Sequence, residues 1–402
     1  MKPSGIEWIG DIPDDWEVRK LLSLFKEHKD RNKNLEEQNL LSLSYGKIKR
    51  KDINNNDGLL PASFETYNIV ENGDIVFRLT DLQNDKRSLR TGIVTQRGII
   101  TSAYVTIRPK IRLDSRFFHY LYHMYDICKV FYGMGDGVRQ GMGFEDLKNI
   151  PTLIPPLKTQ QKIADYLDKK CGEIDATIAK QKESIEKLKA YKQSLISETV
   201  TKGLDKSAPL KPSGIKWLGE IPQNARIIRL RFLSSIQTGD KDTANRVENG
   251  KYPFYVRSPI VERIDTFSFD GEAILMAGDG VGAGKVFHYV NGKFDYHQRV
   301  YNIHNLKGVL GKFLYYYLRE NFYKEIEQSN AKSTVDSIRL PMLLDFPIIV
   351  YPYDLQKEMV SFLDKKVAEI DAIIIKKQNI IQKLDAYKKS LIFEYVTGKR
   401  LV

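Results

Sequence analysis

Lys2-Pro3-Ser4-Gly5-Ile6-Glu7-Trp8-Ile9-Gly10-Asp11-Ile12-Pro13 returns as Lys211-Pro212-Ser213-Gly214-Ile215-Lys216-Trp217-Leu218-Gly219-Glu220-Ile221-Pro222. A second matched pair lies downstream of each copy. Leu167-Asp168-Lys169-Lys170 with Glu173-Ile174-Asp175-Ala176 returns as Leu363-Asp364-Lys365-Lys366 with Glu369-Ile370-Asp371-Ala372. A repeat whose period is half the chain fixes the architecture before any local pattern is weighed. The molecule is two related halves that open alike and close alike, and 402 residues leave room for full-sized cores in both.

Working outward, the first part of each half is mixed in character. Asp74-Ile75-Val76-Phe77-Arg78-Leu79, Thr91-Gly92-Ile93-Val94 and Ala103-Tyr104-Val105-Thr106-Ile107 are short strand-like runs, punctuated by Asn54-Asn55-Asn56-Asp57-Gly58 and Glu71-Asn72-Gly73-Asp74. A helix over 115–131 follows, with Phe117, Phe118, Leu121, Tyr122 and Tyr125 at helical spacing. The second half keeps the order. Glu272-Ala273-Ile274-Leu275-Met276 predicts a strand, Lys285-Val286-Phe287-His288-Tyr289-Val290 predicts a hairpin arm, and Asn291-Gly292-Lys293-Phe294 predicts its turn. A helix over 311–326 matches the one at 115–131.

Each half closes with a long helix. Leu167, Cys171, Ile174, Ile178, Ile185, Leu188 and Leu195 have counterparts Leu363, Val367, Ile370, Ile374, Ile381, Leu384 and Leu391. The steps alternate four and three, the seam of a coiled coil. It is interrupted at matched places, Gln181/Lys377 and Lys192/Lys388, and polar residues on a seam fix register. Pro155-Pro156 and Pro352 set the helix starts, while Thr201-Lys202-Gly203 and Val396-Thr397-Gly398-Lys399 set the ends. About 35–40 residues at about 1.5 Å each give on the order of 55–60 Å per helix. A helix with one apolar stripe must bury it, and the matched helix of the same chain is the partner at highest effective concentration. The expected fold class is α+β: two homologous α+β domains separated by two long helices that pair as an antiparallel coiled coil, with pseudo-two-fold symmetry. The boundaries fall at residues 1–155, 156–203, 204–351 and 352–402, with the polar stretch 204–210 joining the halves.

The formal charge is +12 and the isoelectric point about 9.3, which points to a polyanionic partner, most simply nucleic acid. No apolar run reaches the roughly 18 residues of a membrane span. Met1-Lys2-Pro3-Ser4-Gly5 lacks the apolar core of a secretion signal, and Cys128 and Cys171 form neither a disulfide framework nor a metal-ligand spacing. The expected compartment is therefore the reducing cytoplasm.

Motifs of catalysis are missing. Gly278-Asp279-Gly280-Val281-Gly282-Ala283-Gly284-Lys285 looks like a phosphate loop, but Asp279 stands five before Gly284 and Val286 follows the lysine, so the Walker spacing fails. It also fits a loose dinucleotide fingerprint, yet a strand rather than a helix should follow it. Gly133-Met134-Gly135-Asp136-Gly137 and Gly141-Met142-Gly143 are read with the same caution. His119 and His123 share a helix face without a third ligand, so core or surface roles outweigh a metal site. What remains is binding. Basic and amide residues gather between the strands: Lys47, Lys49, Arg50, Lys51, Gln83, Asn84, Lys86, Arg87, Arg90, Gln96, Arg97, Arg139 and Gln140 in the first domain, and Lys241, Asn245, Arg246, Arg257, Arg263, His297, Gln298, Arg299, Asn330 and Lys332 in the second. Arg and Lys neutralise phosphates, and Arg, Gln and Asn pair with base edges in the major groove. Arg139 and Gln140, with Arg87 and Arg90, lead the base-reading candidates. These segments differ between the halves while the helices and the Lys-Pro-Ser-Gly-Ile stretches match.

The chain resembles, over essentially its whole length, the specificity subunits of type I restriction–modification systems. Gly5-Ile6-Glu7-Trp8-Ile9-Gly10-Asp11-Ile12-Pro13-Asp14-Asp15-Trp16 is similar to the start of that family's target-recognition domain. Gly73-Asp74-Ile75-Val76-Phe77-Arg78 and Gly271-Glu272-Ala273-Ile274-Leu275 resemble its central strand. Ile154-Pro155-Pro156-Leu157-Lys158-Thr159-Gln160-Gln161-Lys162-Ile163-Ala164 resembles the lead into its conserved helical region. The second copy departs at Tyr351-Pro352-Tyr353-Asp354-Leu355-Gln356-Lys357, and Ala225 replaces Trp16. The resemblance implies two recognition domains that each read one half of a bipartite, asymmetric site in double-stranded DNA, and helices that set the unread spacer and dock two methyltransferase (modification) subunits. It also implies restriction/translocase subunits as further partners, S-adenosylmethionine and ATP bound by those partners, no catalytic residue, cofactor or metal in this chain, and a bacterial or archaeal cytoplasm. Two other classes stay open on sequence: a coiled-coil scaffold with two protein-binding domains, and a stand-alone DNA-modifying enzyme.

Overall fold

The computed structural model describes residues 1–54, 61, 63–82, 89–133, 141–329 and 337–402. The chain forms two compact units, Met1–Gln181 with Asn379–Val402, and Lys182–Gln378. The division falls inside both long helices, so each unit holds one mixed domain and a segment of each helix.

In the first unit the strands that carry the sheet and the candidate site are β1 (Phe25–Glu27), β2 (Leu41–Ser44), β3 (Lys47–Arg50), β4 (Ile75–Phe77), β5 (Thr91–Ile93) and β6 (Val105–Pro109), beside shorter pairings. Four of them make an antiparallel sheet in the order β1-β6-β4-β5. Ile75, Val76 and Phe77 are all buried, which is why this strand reads as a continuous apolar run rather than an alternation. Helix α1 (Ser115–Ile127) starts at Asp114, whose carboxylate accepts from Arg116 N. Its Phe117, Phe118 and Tyr122 pack edge-on against Trp16 and Phe25, and Tyr122 also lies tilted against Phe77. Each such buried ring contributes about 1.5–3 kcal/mol relative to exposure. The helix ends four residues short of the expected Phe131. Lys129 takes φ 62°, and that left-handed residue reverses the chain into a single turn at Val130–Gly133.

In the second unit the strands of the main sheet are β7 (Ser235–Thr238), β8 (Tyr252–Tyr255), β9 (Glu262–Ile264), β10 (Phe269–Ala277), β11 (Phe287–Tyr296) and β12 (Val300–His304). The sheet order is β7-β12-β10-β11-β8-β9. Its first four strands repeat the order of the first unit, and β8 with β9 extends the edge, β8 running parallel to β11. The turn expected at 291–294 does not exist. Those residues lie inside the ten-residue strand β11, where Gly292 sits opposite Gly271 of β10. Both glycines have positive φ, 122° and 143°, so here glycine marks a distortion in a strand pair and not a reversal. The reversal is the segment 278–286. Helix α3 (Gly311–Ser329) covers the sheet as α1 does in the first unit.

The long helices are α2 (Leu157–Lys202) and α4 (Tyr353–Val396), 46 and 44 residues. They are longer than the seam alone suggested because the turns before Leu167 and Leu363 are helical too. Within the first unit their segments run antiparallel, with Tyr166 against Tyr395 at 4.6 Å and Lys388 Nζ 2.6 Å from Asp175. Within the second unit they again run antiparallel, with Lys192 Nζ 2.6 Å from Asp371 and the Tyr351 hydroxyl donating to Thr201 O. Leu167, Ile174, Ile178, Ile185, Leu363, Ile370, Ile374 and Leu391 are buried, and Leu188, Leu195, Ile381 and Leu384 are half-buried. Two of the lysines that interrupt the seam, Lys192 and Lys388, thus meet the aspartates of the repeated Glu-Ile-Asp-Ala motif. Burial alone raises the Asp175 pKa, but the hydrogen bonds and charges of Lys388 and Lys47 outweigh it and hold the carboxylate below its usual range.

The same fastening joins each short helix to its long one. Tyr120 OH and Arg116 reach Asp168 at 2.8 and 2.9 Å, while Tyr316 OH and Lys312 reach Asp364 at 2.7 and 2.6 Å. Gln160 donates to Pro155 O and accepts from Asp114 N; Gln356 donates to Tyr351 O and accepts from Leu310 N. Tyr351 therefore does with its carbonyl what Pro155 does, which reconciles the divergent second copy. Trp16 is buried against Phe117 and beside Gly398, which ends α4 at φ 70° and is pressed against Pro13. Ala225 is equally buried, and Trp217 stacked on Phe346 fills out the second unit.

Lys192→Glu should lower unfolding stability by on the order of 1 kcal/mol, since it sets two acids together on a half-buried helix contact. Adding Asp371→Lys should recover most of that loss. Urea denaturation of the single and double variants measures both, and additive losses would contradict the pairing.

Candidate nucleic-acid interface

In the first unit four of the described candidate cations, Lys47, Lys49, Arg50 and Lys51, lie on or beside one hairpin. Tyr45 and Gly46 both have positive φ, 47° and 75°, the two-residue turn that matches strand twist. They pair β2 with β3 in the register Leu41–Arg50 to Ser44–Lys47. Leu41 and Leu43 are buried, and Leu43 packs against Gly92 of β5. Lys47, Lys49, Arg50 and Lys51 are left exposed beside Tyr45, which is 78% exposed. Lys47 is anchored 3.1 Å from Asp175 of α2. Arg97 stands apart, exposed and held by Glu37 and Glu71 at 3.2 and 2.6 Å. Gln83, Asn84, Lys86, Arg87, Arg139 and Gln140 lie outside the described residues.

Arg90 is a correction. It is fully buried. Its guanidinium donates to the carbonyls of Arg78, Thr80 and Asp81, and its Nε donates to the Tyr132 hydroxyl. Its backbone N–H donates to the buried Asp126 carboxylate at 2.6 Å. An arginine wholly committed to closing a loop has no face for a phosphate or base. Sequence cannot distinguish it from Arg97, because the two flank the same strand-like run, 91–94, and both lie among basic and amide residues.

In the second unit Asp279 gathers two arginines, with Arg257 at 3.1 Å and Arg299 at 3.6 Å, both exposed on their outer side. His297 is the second correction, since it is buried. Its Nδ1 accepts from Arg299 N and its Nε2 lies 3.6 Å from Asp242. Burial first, then Arg257, lowers its pKa against the opposing pull of Asp242 and Asp279. A neutral imidazole thus holds the segment that presents Gln298 and Arg299. Gln298 donates to Asp242 by its side chain and to Lys241 O by its backbone. Lys241, Arg257, Gln298 and Arg299 therefore come together. Arg246 and Arg263 form a separate pair joined through the Val247–Arg263 backbone bond. Arg246 lies 3.7 Å from Glu262, and Arg263 is tied to the carbonyls of Gly250 and Lys251. Asn330 and Lys332 lie outside the described residues. The sequence reading missed Tyr45, Asp279 and Asp242. The Tyr-Gly dipeptide between two strand-like runs was the available signal for the first, and a carboxylate inside a basic loop the signal for the others.

His119 and His123 face a cavity of about 400 Å³ between the hairpin, α1 and α2, also lined by Cys171 and Asp168. Burial pushes the His119 pKa down to about 4; burial, His119 and the charges of Lys388 and Lys389 push that of His123 to about 3, so both rings are neutral near pH 7. Among the described residues no three His, Cys, Asp or Glu side chains gather as a metal needs. The loop at 278–284 leads into β11 and not into a helix, so it lacks the helix N-terminus of a nucleotide-phosphate site. Among the described residues no helix is long and apolar enough to cross a membrane.

Two mixed domains with one sheet order, each fastened to long paired helices and each carrying its own cationic loops, define a class of duplicated recognition protein. The family model of the type I restriction modification DNA specificity domain matches residues 13–189 and again 223–384, and the chain belongs to that family. Among curated relatives, the type I restriction enzyme EcoDI specificity subunit of Escherichia coli is 29% identical over 182 residues, 45% of this chain and 40% of that protein's length. The MjaVIII specificity subunit of Methanocaldococcus jannaschii is 23% identical over 96% of this chain and 93% of its own. Among solved structures, a chain described under complex assembly and conformational transition of the type I R-M system aligns over 97% of this chain and 100% of its own, at TM-score 0.72 and 14% identity. The HsdS subunit from Thermoanaerobacter tengcongensis aligns over 97% and 98%, at TM-score 0.51 and 13% identity. These two show the shared α+β fold.

Arg90→Ala should destabilise the first unit by about 3 kcal/mol, because buried carbonyls lose their donor. Lys49→Ala, on the exposed face of β3, should change stability by less than about 0.5 kcal/mol. Chemical denaturation separates the two roles, and equal small effects would return Arg90 to the surface candidates.

Proposed function

We propose that this chain is the DNA-recognition subunit of a type I restriction–modification assembly and carries out no covalent chemistry itself. Residues 1–155 and 204–351 act as the two target-recognition domains, and 156–203 and 352–402 as the helical regions that set the spacer and dock the modification subunits. Methyltransferase and restriction/translocase subunits bring S-adenosylmethionine and ATP, and the assembly works in a bacterial or archaeal cytoplasm. The observation that carries this reading is a matched frame with unmatched rims. The sheet order and the Gln160/Gln356 and Asp168/Asp364 fastenings repeat, whereas among the described residues the first unit presents the hairpin of Lys47, Lys49, Arg50 and Lys51 and the second presents the Arg257–Asp279–Arg299 cluster. Two different cationic surfaces on one frame suit two different half-sites better than one repeated protein partner.

The full-length chain should bind duplex DNA with an affinity that falls steeply with salt, at a log–log slope of about −0.9 for each phosphate neutralised. Salt-independent or absent DNA binding would favour the scaffold reading, and methyl transfer to DNA by the purified chain alone would favour the stand-alone enzyme.

The helices as a ruler give a second expectation. One extra turn in each of α2 and α4 adds about 5 Å. Sequencing of methylated adenines in a host expressing the full system should then show a spacer longer by one or two base pairs, at a rise of about 3.4 Å per pair. An unchanged spacer would refute the ruler.

A further inference from the structure

The loop after the inner strand of each sheet begins at the same structural point. Leu79 O accepts from Met142 N at 2.9 Å in the first unit, and Gly278 O accepts from Ile338 N at 2.6 Å in the second. From there the two sequences part. After Leu79 the sequence runs through Gln83-Asn84-Asp85-Lys86-Arg87, which lie outside the described residues, whereas the second unit has the loop Gly278-Asp279-Gly280-Val281-Gly282-Ala283-Gly284. In the second the backbone closes on itself, Ala283 N donating to Gly280 O and Gly284 N to Ala277 O. Gly280 takes φ 69°, and a side chain at Gly282 would stand 2.5 Å from Arg257 O. The packing thus demands bare backbone on both sides of one residue. That residue, Val281, is wholly exposed. The flanking loop adds Ile260 and Val261, also exposed, and Asp279 holds Arg257 and Arg299 at the base.

Resting on the reading of the chain as a DNA-recognition subunit, we propose that Val281 is a specificity-determining residue that packs against the 5-methyl group of a thymine in the half-site of the second unit. A single branched apolar side chain on a glycine apex fits into a major groove about 12 Å wide, where the thymine methyl is the one apolar feature of a base edge. Arg257 and Arg299, oriented by the shared carboxylate, supply the flanking phosphate or guanine contacts. Burial of Val281 against DNA also accounts for an exposed apolar apex that the fold itself does not use.

The test uses the full-length chain and duplexes selected by it from a random pool. Each thymine of the second half-site is replaced in turn by deoxyuridine, which lacks only the methyl group. One position should lose affinity by about threefold to fivefold, the value of one methyl group leaving water. Val281→Ala should weaken the thymine duplex by a similar factor and abolish the further loss on deoxyuridine, while Val281→Ile should keep it. A flat scan, a half-site without thymine, or a deoxyuridine loss unchanged in Val281→Ala would overturn the assignment while leaving DNA recognition intact. Failure to select any duplex would overturn both.

Discussion

A helix of more than forty residues with one apolar stripe is stable only if a second helix covers that stripe. Each unit meets this need with segments of the same two helices, and at the matched break Lys192/Lys388 the lysine of one helix meets an aspartate of the other. Asp175 with Lys388 and Asp371 with Lys192 are half-exposed pairs, so they add little raw stability. Their weight is in direction and register. A parallel arrangement, or a shift by one turn, would bury a lysine against leucine and isoleucine, with no acid to receive it. The domains hang from this frame, since Asp168 and Asp364 receive the tyrosines of α1 and α3, and Gln160 and Gln356 tie the helix starts to the loops before α1 and α3.

The frame was the legible part of the sequence because it is periodic. Leu167 to Leu195 and Leu363 to Leu391 repeat a helical spacing, and Ile75 to Phe77 form a short β-branched and aromatic run of the kind a buried strand shows. The matched polar interruptions were legible as interruptions, but their partners were not, because the pairing of Lys192 with Asp371 joins residues far apart along the chain. Glycine misled at 291–294, where the chain continues as a strand. The short helix over 115–131 ended early for a similar reason, since nothing in Cys128-Lys129 announces a left-handed residue.

The candidate interface was harder to read, and for a physical reason. Arginine in a loop serves two opposite purposes, meeting a polyanion outside or collecting backbone carbonyls inside. Arg90 does the second while Lys47, Lys49, Arg50 and Lys51 are left to do the first. His297 likewise sits beneath the residues it was grouped with and orders them. Carboxylates were undervalued in the same way. Asp279 lowers the net charge of its loop, yet it is the residue that aims two guanidiniums.

The split of the units along the chain has a consequence in time. Residues 182–378 are contiguous, so the second unit is complete as soon as its last residue is made. The first unit is not: it needs residues 379–402, and the stripe at Ile174 and Ile178 meets Ile381, Leu384 and Leu391 only then. At about 5–20 residues per second of synthesis, its domain waits on the order of ten to forty seconds for its final helix. The older half of the molecule is therefore the last to close, and during that interval its uncovered apolar stripe is where a chaperone would bind or a neighbouring nascent chain would stick.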